Sequence, residues 1–176
     1  MTRTAAVSRL AGLAAVAVAA VAPLASPARA QPAPKDVKFY GNPSSPISGG
    51  VVIPANRAYL WTSGTVPAPA DPDAPAGSRA RYGDTYTQAA SVLDRIERQL
   101  SQQGLSMQDV VYVRAYLVGD PENDGKIDMQ GWSKAFGEVF GTDDNPTKPA
   151  RSTVGVDQLV VADWLIEIEA FAVFPE

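Results

Sequence analysis

The residues of this chain best suited to chemistry are Arg151, Glu167 and Glu169. They fall in two segments that alternate with period two, Pro149-Ala-Arg-Ser-Thr-Val-Gly-Val156 and Leu165-Ile-Glu-Ile-Glu-Ala-Phe-Ala-Val173. Each reads as a strand with one face buried and the other free. In the second segment Ile166, Ile168, Ala170, Ala172 and Phe174 share one side, and Leu165, Glu167, Glu169, Phe171 and Val173 share the other. In the first, Val154 and Val156 form the apolar set, which puts Arg151 and Thr153 on the opposite face. If the two strands share a sheet, an arginine and two carboxylates project from one face. Such a group is either an ion pair or a site for a small anion.

The rest of the composition narrows the chemistry. Cysteine and histidine are both absent, so a thiolate nucleophile, a histidine base and a Cys/His zinc site are excluded. Carboxylates, arginine, hydroxyls, backbone groups and water remain, which suits a reaction that needs little beyond positioning. Arg3 and Arg9, the Ala/Val/Leu run from Leu10 to Leu24 and Ala28-Arg29-Ala30 have the layout of a signal peptide over residues 1–30. The run falls short of the ~20 residues of a spanning helix, and an uncleaved anchor is the competing reading. Export to the periplasm or medium, with no stable membrane association after cleavage, is therefore expected. Beyond residue 30 the chain carries 12 basic against 19 acidic residues, a net charge of −7. That balance argues against nucleic acid as a partner.

The elements that must position the arginine and the carboxylates follow from pattern. Residues 31–36 read as a flexible lead-in, and residues 37–176 as one domain. Short strands are expected at Val37 to Tyr40 and Ala58 to Thr62, and Pro67 to Arg81 reads as a long surface loop. Thr85 and Gln88 have capping-box spacing ahead of a helix with Ala89, Val92, Leu93, Ile96 and Leu100 on its apolar stripe, stopped at Gly104. A strand then runs from Val110 to Val118, with Tyr112, Arg114 and Tyr116 on its second face. A helix from about Asp128 to Phe140 carries Met129, Trp132, Phe136, Val139 and Phe140 as a core stripe. Asp120 to Asp128 imitates the start of a calcium loop, but position 12 is Gly131 and a strand precedes it, so it reads as an acidic turn. The order predicts an α+β fold, a single mixed sheet with two helices packed on one face. Val111, Val113, Val154, Val156, Ile166, Ile168 and Ala170 are expected beneath the helices, and Leu165, Phe171, Val173, Tyr112 and Tyr116 on the open face, an apolar patch that association would cover.

The P-A-R-S-x-V-x-V stretch followed by the I-E-I-E-A-x-A strand resembles the reactive-intermediate deaminase family, RidA or YjgF-type, and the likeness extends back through Trp61-Thr-Ser-Gly64 to cover most of residues 37–175. The resemblance implies a chorismate-mutase-like, trimer-forming fold with a pocket at each subunit interface. It implies hydrolysis of reactive 2-imino and enamine acids to 2-keto acids and ammonia, with no metal or organic cofactor. By position in the motifs, Arg151 would grip the substrate carboxylate and Glu167 would hold and polarise the attacking water. Ser63, Thr153 and Ser133 would line the substrate pocket. The chain departs from the family at Ser45-Pro-Ile47, where many members carry a tyrosine after Gly-Pro, and at Ser133, in place of an asparagine. Two other readings stay open: a trimer that binds small carboxylates without turnover, and another deaminating or hydrolytic activity on the same scaffold. On residue types alone, Arg151 could instead pair with Glu167 or Glu169 across the subunit seam.

Overall fold

The computed structural model describes residues 35–176; the signal peptide expected over residues 1–30 and most of the expected lead-in lie outside the described residues. Nine strands and helices build the domain: β1 (Lys38–Tyr40), β2 (Gly50–Val52), β3 (Tyr59–Trp61), α1 (Arg79–Tyr82), α2 (Thr85–Ser101), β4 (Val110–Leu117), α3 (Met129–Val139), β5 (Ala150–Gly155) and β6 (Ile166–Val173). Four strands form a mixed sheet in the order β3-β6-β4-β5, with β4 and β5 parallel and the other pairs antiparallel. α2 and α3 cover one face, so the α+β architecture expected from the element order is the one observed. The sheet is not single, however. β1 pairs only with β2, a strand that the sequence pattern did not separate from its loop. Ser48 ties this pair to the edge of β5, donating its N–H to Pro149 O at 3.4 Å and its hydroxyl to Lys148 O at 2.6 Å.

The long helix begins one residue earlier than the capping-box spacing suggests. Asp84, in extended conformation, accepts the Thr87 N–H at 2.8 Å and is the cap. Thr85 sits fully buried in the first turn instead. Gln88 is buried as well, and its amide donates to Gly83 O and Asp163 O and accepts the Leu165 N–H at 2.8 Å. One side chain thereby clamps the start of α2 to the segment entering β6. Ala89, Val92, Leu93, Ile96 and Leu100 are all buried, and Gly104, with φ of 75°, supplies the left-handed residue that ends the run. In α3 Asp128 caps two backbone N–H groups, of Gln130 and Gly131. Trp132, Phe136 and Phe140 are buried, whereas Met129, assigned to the same stripe, is 44% exposed at the helix's first turn.

The Pro-rich excursion is a loop that is tied down and includes α1. Arg81 donates to Pro72 O and Ala74 O. Arg79 makes a two-point contact with the buried carboxylate of Asp120, at 2.9 and 2.6 Å, which with Glu122 holds its pKa above the ordinary value. The first acid of the calcium-like stretch is thus committed to an arginine, and its last acid caps α3.

Two face assignments are corrected by strand register. A β-bulge in β4 sets Val110 opposite Ala172 and Tyr112 opposite Phe171. Val110 therefore joins the helix-side core and Val111, though buried, lies outside it. In β5 Arg151 pairs with Val113 and Thr153 with Ala115, both core residues. Arg151 and Thr153 consequently face the helices, and Val154, expected there, is 42% exposed on the open face. Register set by the neighbouring strand overrides side-chain hydrophobicity on this edge strand.

Candidate functional site

Crossover through α3 lays Trp132 and Phe136, one turn apart, over the start of β5. The Arg151 guanidinium lies 4.5 Å from the Phe136 ring centre and 5.3 Å from that of Trp132. Thr153, two residues on and on the same face, accepts the Trp132 indole N–H at 3.0 Å and fixes the ring against which the arginine rests. Among the described residues no carboxylate pairs with Arg151. Burial without a counter-ion pushes its pKa below the ordinary arginine value. A partly buried guanidinium, backed by aromatic rings and without an ion-pair partner among the described residues, has the chemistry to accept an anion.

Glu167 and Glu169 lie on the other face. Their partners in β4 are Tyr116 and Arg114, which point away from the helices. Arg151 and Glu167 thus occupy opposite faces of one sheet, on strands about 10 Å apart with β4 between them, and the shared face expected for them is not formed within a chain. Glu169 is engaged locally: Arg114 contacts it at 3.4 Å and the Tyr116 hydroxyl donates to it at 3.3 Å. Hydrogen bonds to Tyr116 and Tyr112 also hold the Arg114 pKa above its ordinary value. Glu167 has neither an ion pair nor a hydrogen bond among the described residues. Its carboxylate rests against Gly64, at the turn that carries Ser63.

That turn interrupts the β3–β6 pairing. Trp61 pairs with Phe171, and the bridge resumes at Thr65 and Ile168, so the stretch between is one residue longer on the Thr62–Gly64 side. Ser63 is exposed at its tip, on the Glu167 side of the molecule and away from Arg151. Ser133 is exposed on α3, about 100° round the helix from Trp132. The sequence-derived residues therefore form two half-sites. Arg151 and Thr153 lie under α3, whose exposed Ser133 follows Trp132 in sequence; Glu167 lies on the open face beside the turn that carries Ser63.

The open face has a different composition from the one expected. Leu165 and Val173 are already buried within the chain, while Tyr59 and Trp61 are 62% and 60% exposed. Phe171 lies between them, with ring centres 5.0 Å from Tyr59 and 5.5 Å from Trp61. Four clefts of the single chain, of about 110 to 300 Å³, are lined by none of Arg151, Glu167, Ser63, Thr153 and Ser133. Sequence reading assigned Trp132 and Phe136 to the core, which they are, but missed them as the seat of Arg151. Their spacing of four on a helix leading into the Arg151 strand was the available signal.

The family model of Endoribonuclease L-PSP matches residues 45–174. A RutC family protein of Pyrococcus horikoshii is 34% identical over 140 residues, which span 78% of this chain and 97% of that protein. A RutC family protein of Pyrococcus abyssi is 34% identical over 114 residues, 65% of this chain and 77% of its own. Among solved structures, a protein of the conserved Rid family from Yersinia pestis, described as of unknown function, superimposes with a TM-score of 0.59 at 25% identity, over 79% of this chain and 99% of that one.

Proposed function

The chain belongs to the Endoribonuclease L-PSP family, the YjgF/RidA group, and we propose that within it this protein hydrolyses reactive 2-imino and enamine acids to 2-keto acids and ammonia. The observation that carries the reading is the Arg151 guanidinium, seated on Trp132 and Phe136 with no carboxylate partner among the described residues. Its two-pronged donor edge matches a substrate carboxylate. The carboxylate of a 2-imino acid lies one bond from the reacting carbon, so gripping it positions the C=N group. Because Glu167 lies on the opposite sheet face of the same chain, the reading requires a second copy to bring its Glu167 to Arg151. The exposed Tyr59 and Trp61, with the half-buried Phe171 between them, favour such an association, a trimer with interfacial pockets. Water held by Glu167 adds to the imine carbon, and the carboxylate takes the proton that the water loses. Glu167 returns that proton to the nitrogen of the resulting carbinolamine, the C–N bond breaks, and ammonia leaves as the hydroxyl gives its proton to the Glu167 carboxylate and the carbonyl forms. Thr153, Ser63 and Ser133 shape the pocket, and positioning supplies most of the acceleration. The N-terminal thirty residues support export, so the substrate would be met outside the cytoplasm. The endoribonuclease of the family's description is matched less well, since the chain has no histidine and a net charge of −7 beyond residue 30.

A second reading, a trimer that captures small carboxylates without turnover, is favoured by the fact that Arg151 alone suffices for it. Purified protein starting at Gln31, given a 2-imino acid generated in situ, separates the two. The hydrolase reading expects ammonia release that Glu167→Gln lowers by about 10²-fold or more, with 2-keto acid affinity kept or raised. Equal turnover in the two proteins leaves the binding protein as the better account.

A further inference from the structure

We propose that Gly64 is a positioning residue for Glu167, required because it leaves room for the carboxylate and not because of its backbone conformation. The inference rests on the hydrolase reading above. Gly64 is outside the left-handed region, unlike the glycines at 41, 77, 83, 104, 125 and 141, so its φ is open to an alanine. What an alanine would lack is space. A Cβ at position 64 would lie 2.6 Å from Cδ and 3.1 Å from Cγ of Glu167, and closer still to Oε1. The carboxylate is lying across the glycine's Cα, in the place where any other residue would carry a side chain.

The strands on either side decide which group yields. Thr62 donates its N–H to Ala170 O at 3.0 Å, and Ala170 returns its N–H to the Thr62 hydroxyl at 3.0 Å. Thr65 and Ile168 exchange both backbone hydrogen bonds, at 2.8 and 3.0 Å. The turn is therefore pinned before and after the contact, β6 is held on its other edge by pairing with β4 from Ile166 through Ile168, and neither backbone can withdraw without breaking ladder bonds. Glu167, by contrast, has three rotatable side-chain bonds and, among the described residues, no hydrogen bond that would hold its carboxylate against displacement. An added methyl group moves the carboxylate and leaves the fold. Gly64 thus makes a shallow notch that keeps the acid down on the sheet, at one height and one direction above the Ser63 turn.

The test is Gly64→Ala alone and combined with Glu167→Gln. Alone, it is expected to lower kcat by roughly 10²-fold, the scale for an angstrom-level misplacement of a catalytic group, with KM and the melting temperature close to wild type. In the Glu167→Gln background it should add less than about twofold, because both changes act through one carboxylate. Full multiplication of the two losses, or an alanine variant with wild-type kcat, overturns the inference. If the wild-type protein releases no ammonia at all, the hydrolase reading fails by itself. A crystal structure of Gly64→Ala then decides the positioning claim, since a Glu167 carboxylate unmoved beside the new methyl group refutes it and a displaced one upholds it.

Discussion

Replacing Arg151 by methionine separates a ligand-binding arginine from a structural one, because the two roles leave opposite traces in this environment. A structural arginine would owe its place to an ion pair, and its loss would strand a carboxylate. Here no carboxylate faces it among the described residues; what the fold gains from the cation is its stacking on Phe136 at 4.5 Å and Trp132 at 5.3 Å, worth about 0.5–1 kcal/mol per contact at sites with solvent access. Against that stands the desolvation that lowers the arginine's pKa. Methionine keeps the unbranched stem of the side chain up to where the guanidinium begins and packs on aromatic rings, so the stability of Arg151→Met should lie within about 1 kcal/mol of wild type. Ligand affinity should behave otherwise. Each charge-assisted hydrogen bond to a carboxylate contributes about 1.5–3 kcal/mol, so losing even one weakens binding roughly tenfold to a hundredfold, and losing the fork does more. Arg151→Lys keeps the charge but not the planar pair of donors, and should fall between. Calorimetric titration with a stable 2-keto acid, set beside urea unfolding of the same proteins, reads both quantities. If Arg151→Met unfolds or dissociates, or Arg151→Lys binds as wild type does, the arginine is not the carboxylate grip described above.

Glu169→Gln, two residues from Glu167, should leave turnover within about threefold of wild type, because its carboxylate serves Arg114 and Tyr116, and should cost no more than about 1 kcal/mol of stability for a partly exposed pair; a loss matching that of Glu167→Gln would mean the wrong carboxylate has been assigned. Sedimentation of protein starting at Gln31 should give a trimer, and a stable monomer at micromolar concentration would remove the interfacial site. Asp84→Ala should destabilise the fold by about 1 kcal/mol at neutral pH through loss of the α2 cap. The Asp84 pKa is held down chiefly by the Thr87 N–H hydrogen bond, so its contribution is complete above the unfolded-state value of about 3.9 and fades as pH falls through the lower folded-state value. Urea midpoints of the two proteins should therefore converge in acid, and a gap that stays constant there contradicts the cap assignment.

Much of this protein was legible without coordinates because the informative patterns are local. Periodicity of 3.6 with a stop glycine marks α2, and period two marks β4 and β6. The spaced motifs around Arg151 and Glu167 pick out the family and the residues to test. Even the partner of Glu169 is present in outline, since Arg114 falls between Tyr112 and Tyr116 on the second face of the β4 strand. Capping was read one residue late because Thr and Asp both accept backbone N–H groups, and which of them is buried depends on what packs against the helix start.

The relation between the two halves of the site could not be read in the same way. Val154 in β5 and Val156 just after it favour one face by hydrophobicity, yet pairing Arg151 with Val113 and Thr153 with Ala115 puts the other face against the helices, where an indole N–H and two aromatic rings accommodate a hydroxyl and a cation. A shift of one residue inverts every side chain of a strand, and nothing within six residues of an edge strand determines the shift; its neighbour does. The sequence by itself determined the family, the candidate residues for its chemistry and the main elements that hold them. Only the tertiary structure decided that the arginine and the glutamate face opposite ways and that a glycine leaves room for the acid, because sheet register and the packing of α3 over β5 are long-range contacts that no local pattern encodes.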